Sequence, residues 1–455
     1  MPYLYKKNFE QVPMNNVTEF KANNGVNIIQ FLIPSVQGAT LSTQDLMFSG
    51  NIQVNEDGTT AYNQAQFGAG GISLDSVLGL HGIIDRVDIL SARGNTLIEQ
   101  RLNYQLITKY QRGVQAESNL TNGRFNNQQL CSSAVRGTRN YLGRGAFADD
   151  GQDFAIQLNT GLMKDNNQVL NLGAIGGLMI KIYMSEPINA FFNINPAQGA
   201  NVIGNDFNYT LKNIKLFGRY NYMTPDVISS LSGVSYRKTD NLLSVVQSSN
   251  DTLTNMPQVS ALHKMVYVFQ PNKETSNNKD VNNTATNQLV GLNSYLLSLN
   301  GTRMPLDYEV TINPSIPELP TSSGQNARVS GNSEQQYLAI SALNDQFPPT
   351  HSLSNAKNQA KALDNQLKNE TTSTLNVDVI GMNYSFNFSG YSVAVPNDLM
   401  SINVESSVLT SQPNLPDGTT INGNTSRNIR GQSQTQNLFI EYDAQLSYSN
   451  MTSGR

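Results

Sequence analysis

The chain has 455 residues, of which 38% are hydrophobic and only 14% charged, with a formal net charge of −4. This length exceeds one ordinary core and predicts two domains of roughly 200 residues or one large β assembly. No basic block of five or more residues and no long apolar run occurs, so neither a nucleic-acid-wrapping surface nor a membrane-spanning helix is expected.

The first half of the chain is dominated by patterns typical of β-strands. In residues 45–55 every even position is apolar or small, whereas the odd positions are polar apart from Met47. This alternation predicts a strand with one face in a core. Further strands are predicted over 27–34, 178–184 and 208–222. In the last of these the alternation changes phase around Asn213, which predicts a β-bulge.

The second half also shows the alternation of apolar and polar residues that is typical of β-strands, and few helices are predicted anywhere in the chain. Strands are predicted over 263–270, 375–395 and 436–449, and short helices over 102–113, 224–233, 334–347 and 354–369. The helix over 224–233 has Thr224 as its N-cap, Pro225 at its first helical position and Gly233 at its end, a favourable set of helix boundaries. It follows a strand and precedes a polar stretch, so we expect it to join two halves.

Three segments of the first half align, in the same order, with segments of the second. The hairpin turn at Gly94 aligns with that at Gly301, 207 residues later. The other pairs are 154–163 with 391–400, 237 residues apart, and the strands from Leu211 and from Leu438, 227 residues apart. The spacing differs between the three pairs, as is expected when two domains share the same core strands but have loops of different length. The order favours two similar β domains in tandem, with one irregular sandwich as the alternative.

The predicted organisation is therefore all-β, with an N-terminal domain at 1–223, a linker helix at 224–233 and a C-terminal domain at 234–455. Each half holds enough short strands for an eight-stranded double-sheet sandwich. Long polar loops are predicted over 114–152, 271–291 and 402–435. Loops of this length in a compact protein usually serve interaction or function.

Residues that could carry chemistry are scarce. His81 and His263 lie in apolar contexts, where a packed or hydrogen-bonded core histidine is expected, and neither they nor His351 have metal-ligand spacing. The only cysteine, Cys131, excludes an intrachain disulfide, in agreement with a reducing cytosol, and lies in a predicted loop without a catalytic signature.

Two glycine-rich stretches, 68–82 and 143–151, match no phosphate-binding motif and predict turns or bulges. The acidic run at 149–153 lacks the ligand spacing of a calcium loop, so a solvated turn is expected. A mildly basic helix face is expected to be solvated surface; its residues are Lys357, Lys361 and Lys368. The sequence thus predicts no catalytic, cofactor-binding or metal site, and it favours a structural building block over an enzyme.

The segment from Ser76 to Leu106, SVLGLHGIIDRVDI followed by a glycine turn, LIEQ and YQL, resembles a known pattern. It is similar to the double jelly-roll major capsid proteins of icosahedral double-stranded DNA viruses, particularly those of virophages, polinton-like viruses and small relatives of the giant viruses. The likeness in residues is strong over about 45–110. The predicted strands 45–55 and 178–184, the helix at 224–233 and a second sandwich extend it in architecture to the whole chain.

The resemblance implies two tandem eight-stranded jelly rolls side by side, with three copies in a capsomer of pseudo-hexagonal outline that tiles an icosahedral virion shell. Its implied partners are other copies, neighbouring capsomers, penton proteins and minor capsid or cement proteins, without sequence-specific nucleic acid or a cofactor. Assembly would follow synthesis in the host cytoplasm. An inner membrane beneath the shell is left open.

Two other functions remain open on the sequence. A receptor-binding or fibre protein built of β sandwiches would form elongated spikes with ligand-binding tips. A carbohydrate-active enzyme with a jelly-roll core would need two carboxylates that converge in a groove, and sequence alone does not give their separation in space.

Overall fold

A computed structural model gives the fold. It describes residues 4–14, 19–22, 27–55, 72–74, 79–113, 151–164, 169–193, 208–246, 251–255, 258–259, 261–271, 292–299, 302–303, 310–311, 384–392, 400–408, 420–421, 424–425 and 434–448.

The strands of the first half are β1 (Tyr5–Gln11), β2 (Glu19–Lys21), β3 (Ile28–Ile33), β4 (Ala39–Ser42), β5 (Met47–Asn55), β6 (Ile72–Leu74), β7 (Ile84–Ser91), β8 (Leu97–Arg101), β9 (Gln152–Ile156), β10 (Val169–Asn171), β11 (Leu178–Met184), β12 (Phe191–Asn193) and β13 (Asn208–Tyr222). The strands of the second half are β14 (Gly233–Val246), β15 (Asp251–Asn255), β16 (Gln258–Val259), β17 (Ala261–Pro271), β18 (Leu292–Leu299), β19 (Thr302–Arg303), β20 (Val310–Thr311), β21 (Tyr384–Ser392), β22 (Met400–Val408), β23 (Thr420–Ile421), β24 (Asn424–Thr425) and β25 (Gln434–Ser447). The α-helices are α1 (Tyr104–Gly113), α2 (Gly161–Lys164), α3 (Leu172–Ile175), α4 (Pro187–Ala190) and α5 (Pro225–Ser230), and 3₁₀ turns cover Thr43–Asp45 and Gly79–Ile83.

The described strands of the first half form two large antiparallel sheets and a two-stranded sheet of β6 and β12. In one large sheet β13 is central: β1 and β2 pair with successive parts of one edge, β4 and β5 pair with the other edge, and β9 and β10 pair with β5 and β4. The other large sheet has the order β3-β11-β7-β8. We count three pairs of strands as one position each: β1–β2, β4–β5 and β9–β10. Each of the two large sheets then has four strand positions, and the eight are connected as in a jelly roll.

The second half repeats this order. One sheet runs β14-β25-β17-β21, and the other runs β15-β22-β18-β19, with β20 also paired to β18 and β16 to β22. Position by position, β14 is the counterpart of β1–β2, β25 of β13, β17 of β4–β5, β21 of β9–β10, and β19–β20 of β8. Among the described strands, no ladder joins the two halves. The predicted fold class of two tandem jelly rolls is confirmed.

The core of the first roll lies between its two sheets. β11 shows why: its residues alternate strictly between buried and half-buried, with Leu178, Ile180 and Ile182 fully buried. The inward side chains of a strand follow this period of two. Val234, Tyr236, Leu446 and Tyr448 of the second half join the same apolar cluster. The second roll therefore packs directly onto the core of the first.

The local predictions can be compared with these elements. The strand over 45–55 is β5, and the bulge near Asn213 is confirmed by a register shift between Lys212 and Lys215 and by the positive φ of 51° at Asn213. The helix predicted over 102–113 is α1. Of the strand predicted over 375–395, the structure describes β21, and the helices predicted over 334–347 and 354–369 lie outside the described residues.

The prediction for the end of the linker helix is wrong. Helix α5 does begin with Thr224 at the N-cap position and a proline at N1, but it ends at Ser230, with Leu231 as its C-cap. Gly233 is the first residue of β14, where an added Cβ would lie 2.4 Å from the Leu446 carbonyl oxygen. The glycine therefore serves close strand packing rather than helix termination.

Candidate assembly site at the junction of the two rolls

The two rolls meet along one side of the first roll. There, β8, α2 and β10 contact β14, which is the edge strand of the first sheet of the second roll. The two rolls approach closely at Gly161, the first residue of α2, where an added Cβ would lie 1.7 Å from the carbonyl oxygen of Arg237. Because no side chain fits in that space, glycine at this position allows the two backbones to touch.

A buried carboxylate fixes α2 at this junction. Oε1 of Glu99 accepts a hydrogen bond from the Gly161 N–H at 2.7 Å, and Oε2 accepts one from the Leu162 N–H at 2.8 Å. Glu99 lies on β8 and is fully buried. Both of its oxygens are thus occupied by backbone donors, an arrangement that positions a helix start rather than one that offers a free acid or base.

Arg101 lies two residues after Glu99 on the same face of β8 and is 2% exposed. Burial raises the pKa of Glu99, and the positive charge of Arg101 opposes that rise. Burial likewise lowers the pKa of Arg101, and the charge of Glu99 opposes that change. Each charge therefore offsets part of the desolvation of the other, and desolvation remains the larger effect on both groups.

The second roll adds a polar cluster to the same region. The Lys238 ammonium lies 3.1 Å from Oδ1 of Asp240, and the Tyr442 hydroxyl donates to Oδ2 of Asp240 at 2.5 Å. Burial, followed by the hydrogen bond to Asp240, raises the pKa of Tyr442. The charge of Lys238 lowers the pKa of Glu99 in the first roll. The charge of Asp240 raises the pKa of Arg101, which is also in the first roll. The charges of the two rolls are therefore electrostatically coupled across the junction.

Direct hydrogen bonds also join the rolls. The Tyr236 hydroxyl donates to the Ile98 carbonyl oxygen at 2.9 Å. The amide of Asn103 donates to Oδ1 of Asn437 at 2.6 Å. The Asn171 N–H donates to the Tyr448 hydroxyl at 3.0 Å. These bonds are directional, so they fix the orientation of one roll on the other, whereas apolar burial alone does not.

The opposite edge of the first roll exposes apolar side chains. We call residues 4–14 the N-terminal edge; they consist of β1 and its flanks. Of the six exposed large hydrophobic residues among those described, four lie in this segment: Leu4 (62% exposed), Tyr5 (56%), Val12 (45%) and Met14 (45%). Clustered exposed apolar residues on a soluble protein mark interaction surfaces.

The N-terminal edge is nevertheless held firmly on the roll. All seven residues of β1 pair with β13. The rings of Tyr5 and Tyr222 stack at 4.3 Å, and those of Phe9 and Tyr220 at 4.2 Å. The segment is therefore a built part of the sheet, and its exposed side chains present a fixed surface.

The structure locates some of the residues singled out in the sequence. His81 is buried, and its Nδ1 lies 2.7 Å from the Tyr104 hydroxyl, which confirms a hydrogen-bonded core histidine. His263 lies on β17. Asp153 is an exposed residue of β9 that accepts a hydrogen bond from the Asn51 amide at 3.0 Å, so it belongs to a strand and not to the predicted solvated turn. Other singled-out residues lie outside the described part of the chain: Cys131, Asp149, Asp150, His351, Lys357, Lys361 and Lys368.

Within the described ranges, no group of three or more histidine, cysteine or acidic side chains is placed to hold a metal ion. The helices of those ranges also include none with the length and apolar character needed to cross a membrane.

The junction residues Glu99 and Arg101 were not predicted from the sequence. Their strand reads LIEQR, and two charged residues there give no local sign of burial. The weak signal available was a pair of opposite charges two positions apart on one face of a strand. Its partner, Gly161, is 62 residues away in sequence.

Comparison with solved structures identifies the same architecture in viral proteins. The Faustovirus major capsid protein matches with a TM-score of 0.52 at 8% identity, over 97% of this chain and 90% of that one. A chain in the 3.5 Å cryo-EM structure of the Sputnik virophage matches with a TM-score of 0.51 at 10% identity, over 100% and 91%. The mavirus major capsid protein matches with a TM-score of 0.45 at 13% identity, over 100% and 93%.

The first two matches, together with the strand order of both halves, define the fold. The chain has the double jelly-roll fold seen in these viral proteins. No protein-family model matches the sequence, and no curated protein is similar to it in sequence. The likeness therefore lies in the arrangement of strands and not in the residues.

Proposed function

We propose that this protein is a major capsid protein, and that three copies form a pseudo-hexagonal capsomer that tiles an icosahedral virion shell. The observation that carries the proposal is the double jelly roll that extends over nearly the whole chain and is shared with the Faustovirus major capsid protein over 90% of that protein's length. Fold alone does not determine function. The low charge of the chain and the contacts between the rolls also support the proposal.

The surfaces of the chain suit assembly through broad contacts. Only 14% of the residues are charged, and protein interfaces are depleted in charge at their centres. Three hydrogen bonds between the rolls fix the orientation of one roll on the other. A pair of rolls held in one orientation is a building block that can repeat over a closed shell.

The proposal includes the organisation and partners of the chain. Residues 1–223 and 234–455 would each form one roll, with 224–233 as the linker. Other copies, neighbouring capsomers, penton proteins and minor capsid proteins would be the partners in the virion, after synthesis in the host cytoplasm. The role would be structural and not enzymatic.

The test is the state of the purified protein. We expect light scattering after size exclusion to give three times the chain mass of 49.9 kDa, and negative-stain images to show particles of pseudo-hexagonal outline. A stable monomer that cleaves a glycan would instead establish the carbohydrate-active enzyme. Elongated trimeric particles would establish the fibre protein.

A further inference from the structure

A buried polar network joins three parts of the first roll. His81 lies in the 3₁₀ turn Gly79–Ile83, Tyr104 begins α1, and Asn159 precedes α2. Nδ1 of His81 lies 2.7 Å from the Tyr104 hydroxyl, and the same hydroxyl accepts the Asn159 N–H at 2.8 Å. His81 is 1% exposed, Tyr104 is fully buried and Asn159 is 8% exposed. In such an interior, protein groups must satisfy each donor and acceptor.

The hydrogen bonds indicate which protonation state of His81 the network suits. Because the Tyr104 hydroxyl accepts from the Asn159 N–H, it can donate its own proton to Nδ1 of a neutral ring. A protonated histidine is instead a donor at both ring nitrogens. The Nδ1–H and the hydroxyl proton would then face each other, and a hydroxyl that turns away no longer accepts from Asn159 in the same geometry. The network is therefore built for neutral His81.

The segment that starts at Asn159 connects this network to the junction between the rolls. Two residues later, the Gly161 N–H donates to Oε1 of Glu99, and Gly161 lies directly against the Arg237 carbonyl of the second roll. The segment is thus held by Tyr104 at its start and by Glu99 at Gly161. A change in the hydrogen bonds of Tyr104 therefore acts on the segment that touches the second roll.

Charged groups on the neighbouring elements set the cost of a positive charge on His81. The turn that carries it packs against α1, α4, β6, β7 and β9. Besides Tyr104, the titratable and charged residues of these elements are Asp85, Arg86 and Asp88 on β7, Asp153 on β9, and Lys109, Tyr110 and Arg112 on α1. Arg86 donates to both oxygens of Asp88, and Asp153 accepts from the Asn51 amide. Half-buried Asp85 would attract a charged His81 and offset part of this cost.

We propose that His81 is an acid-sensitive latch: protonation of its ring breaks the hydrogen bond from Tyr104, releases Asn159 and loosens the junction between the two rolls. The folded chain favours the neutral ring, whereas the unfolded chain binds the proton freely. Stability is therefore kept above the ordinary histidine pKa of about 6.5 and lost as the pH falls below it. The inference concerns the single chain and does not depend on the proposed function.

The first experiment compares histidine variants of the full-length chain. His81→Asn keeps an acceptor oxygen near the position of Nδ1 but takes up no proton. The matched controls are His263→Asn and His351→Asn, which remove the other two histidines of the sequence one at a time. Urea unfolding is followed by circular dichroism at about pH 7.5 and about pH 5, on either side of the ordinary histidine pKa. Protein concentration is held constant, because association would shift the apparent stability.

Acidification is expected to separate these chains. We expect it to raise the unfolding equilibrium constant of the wild-type chain about 10- to 30-fold more than that of His81→Asn. The two controls should respond within about 3-fold of the wild-type chain. An equal acid response in the wild-type chain and in His81→Asn would overturn the latch.

The second experiment uses the unaltered chain, so it does not depend on whether a variant folds. Hydrogen–deuterium exchange is measured at the same two pH values and corrected for the intrinsic pH dependence of amide exchange. We expect acid to lower protection about 10-fold or more in peptides that cover 79–83, 104–113 and 159–164, and less than about 3-fold in the central strand β13. Unchanged protection of 159–164, or an equal loss in β13, would refute a latch that acts on the junction.

Discussion

The edge strands β14 and β1–β2 hold the same position in the two rolls. They differ in length, in continuity and in how far their side chains are buried by other parts of the chain. β14 runs unbroken for 14 residues and pairs with β25 along its whole length. Its counterpart is split into β1, with seven residues, and β2, with three. The covered strand is continuous, and the uncovered one is interrupted.

The difference shows what an edge strand needs from its surroundings. An exposed edge is a template for further pairing, and proteins shorten or interrupt such edges when nothing covers them. At β14 the covering surface is supplied by the same chain, through Gly161, Glu99 and Ile98. At the N-terminal edge, Leu4, Tyr5, Val12 and Met14 stay exposed instead. Substitutions at matched positions of the two edges can test how much the cover contributes.

The largest expected effect is that of Glu99→Gln at the covered edge. The amide keeps the shape of the side chain but removes the charge with the largest favourable effect on buried Arg101. It also turns one N–H₂ group towards a backbone N–H that the carboxylate accepted from. We expect a loss of about 3–5 kcal/mol in the free energy of unfolding. Urea denaturation followed by circular dichroism measures it.

The matched control is Glu10→Gln on β1. Glu10 lies 2.7 Å from the Lys215 ammonium, but both side chains are about 40% exposed, so the expected loss is less than about 1 kcal/mol. Equal losses in the two variants would show that the buried pair contributes no more than a surface ion pair.

The second expected effect concerns the close approach of the two rolls at Gly161. Gly161→Ala places a methyl group where the Arg237 carbonyl oxygen lies, and the backbones must separate. We expect a loss of about 2 kcal/mol, in the range of overpacked cores. Gly94→Ala, in the turn between β7 and β8, is the control, because its added Cβ meets nothing closer than Thr96 Oγ1 at 3.5 Å. An unchanged thermal midpoint for Gly161→Ala would refute the tight junction.

The sequence allowed several strands of the fold to be predicted, because strand patterns are local. The loop predicted over 402–435 is wrong in part, because β22 (Met400–Val408) covers its beginning. The hairpins aligned at Gly94 and Gly301 correspond to β7–β8 and to β18–β19, which hold the same position in the two rolls. The strands aligned at Leu211 and Leu438 are the central strands β13 and β25. The third pair matches β9 with β21 only in part, since β21 begins at Tyr384, before the aligned segment.

The junction could not be predicted in this way, because its contacts are long-range. Asn103 and Asn437 are 334 residues apart, and Tyr236 and Ile98 are 138 apart. The pattern around Glu99 marks a strand but does not reveal that α2 and β14 cover it. Gly233 shows the same limit: a glycine after a helix is a common terminator, and here strand packing against Leu446 determines its place.

The smallest expected effect tests a single hydrogen bond across the covered edge. Tyr236→Phe removes the hydroxyl that donates to the Ile98 carbonyl oxygen and leaves a buried acceptor without this donor. We expect a loss of about 1 kcal/mol in the free energy of unfolding. Tyr5→Phe on β1 is the control: its ring stacks on Tyr222 but is 56% exposed, and we expect a change within about 0.5 kcal/mol. If Tyr5→Phe destabilises the chain as much as Tyr236→Phe does, the N-terminal edge is already as well covered as β14. The contrast between the two edges would then be lost.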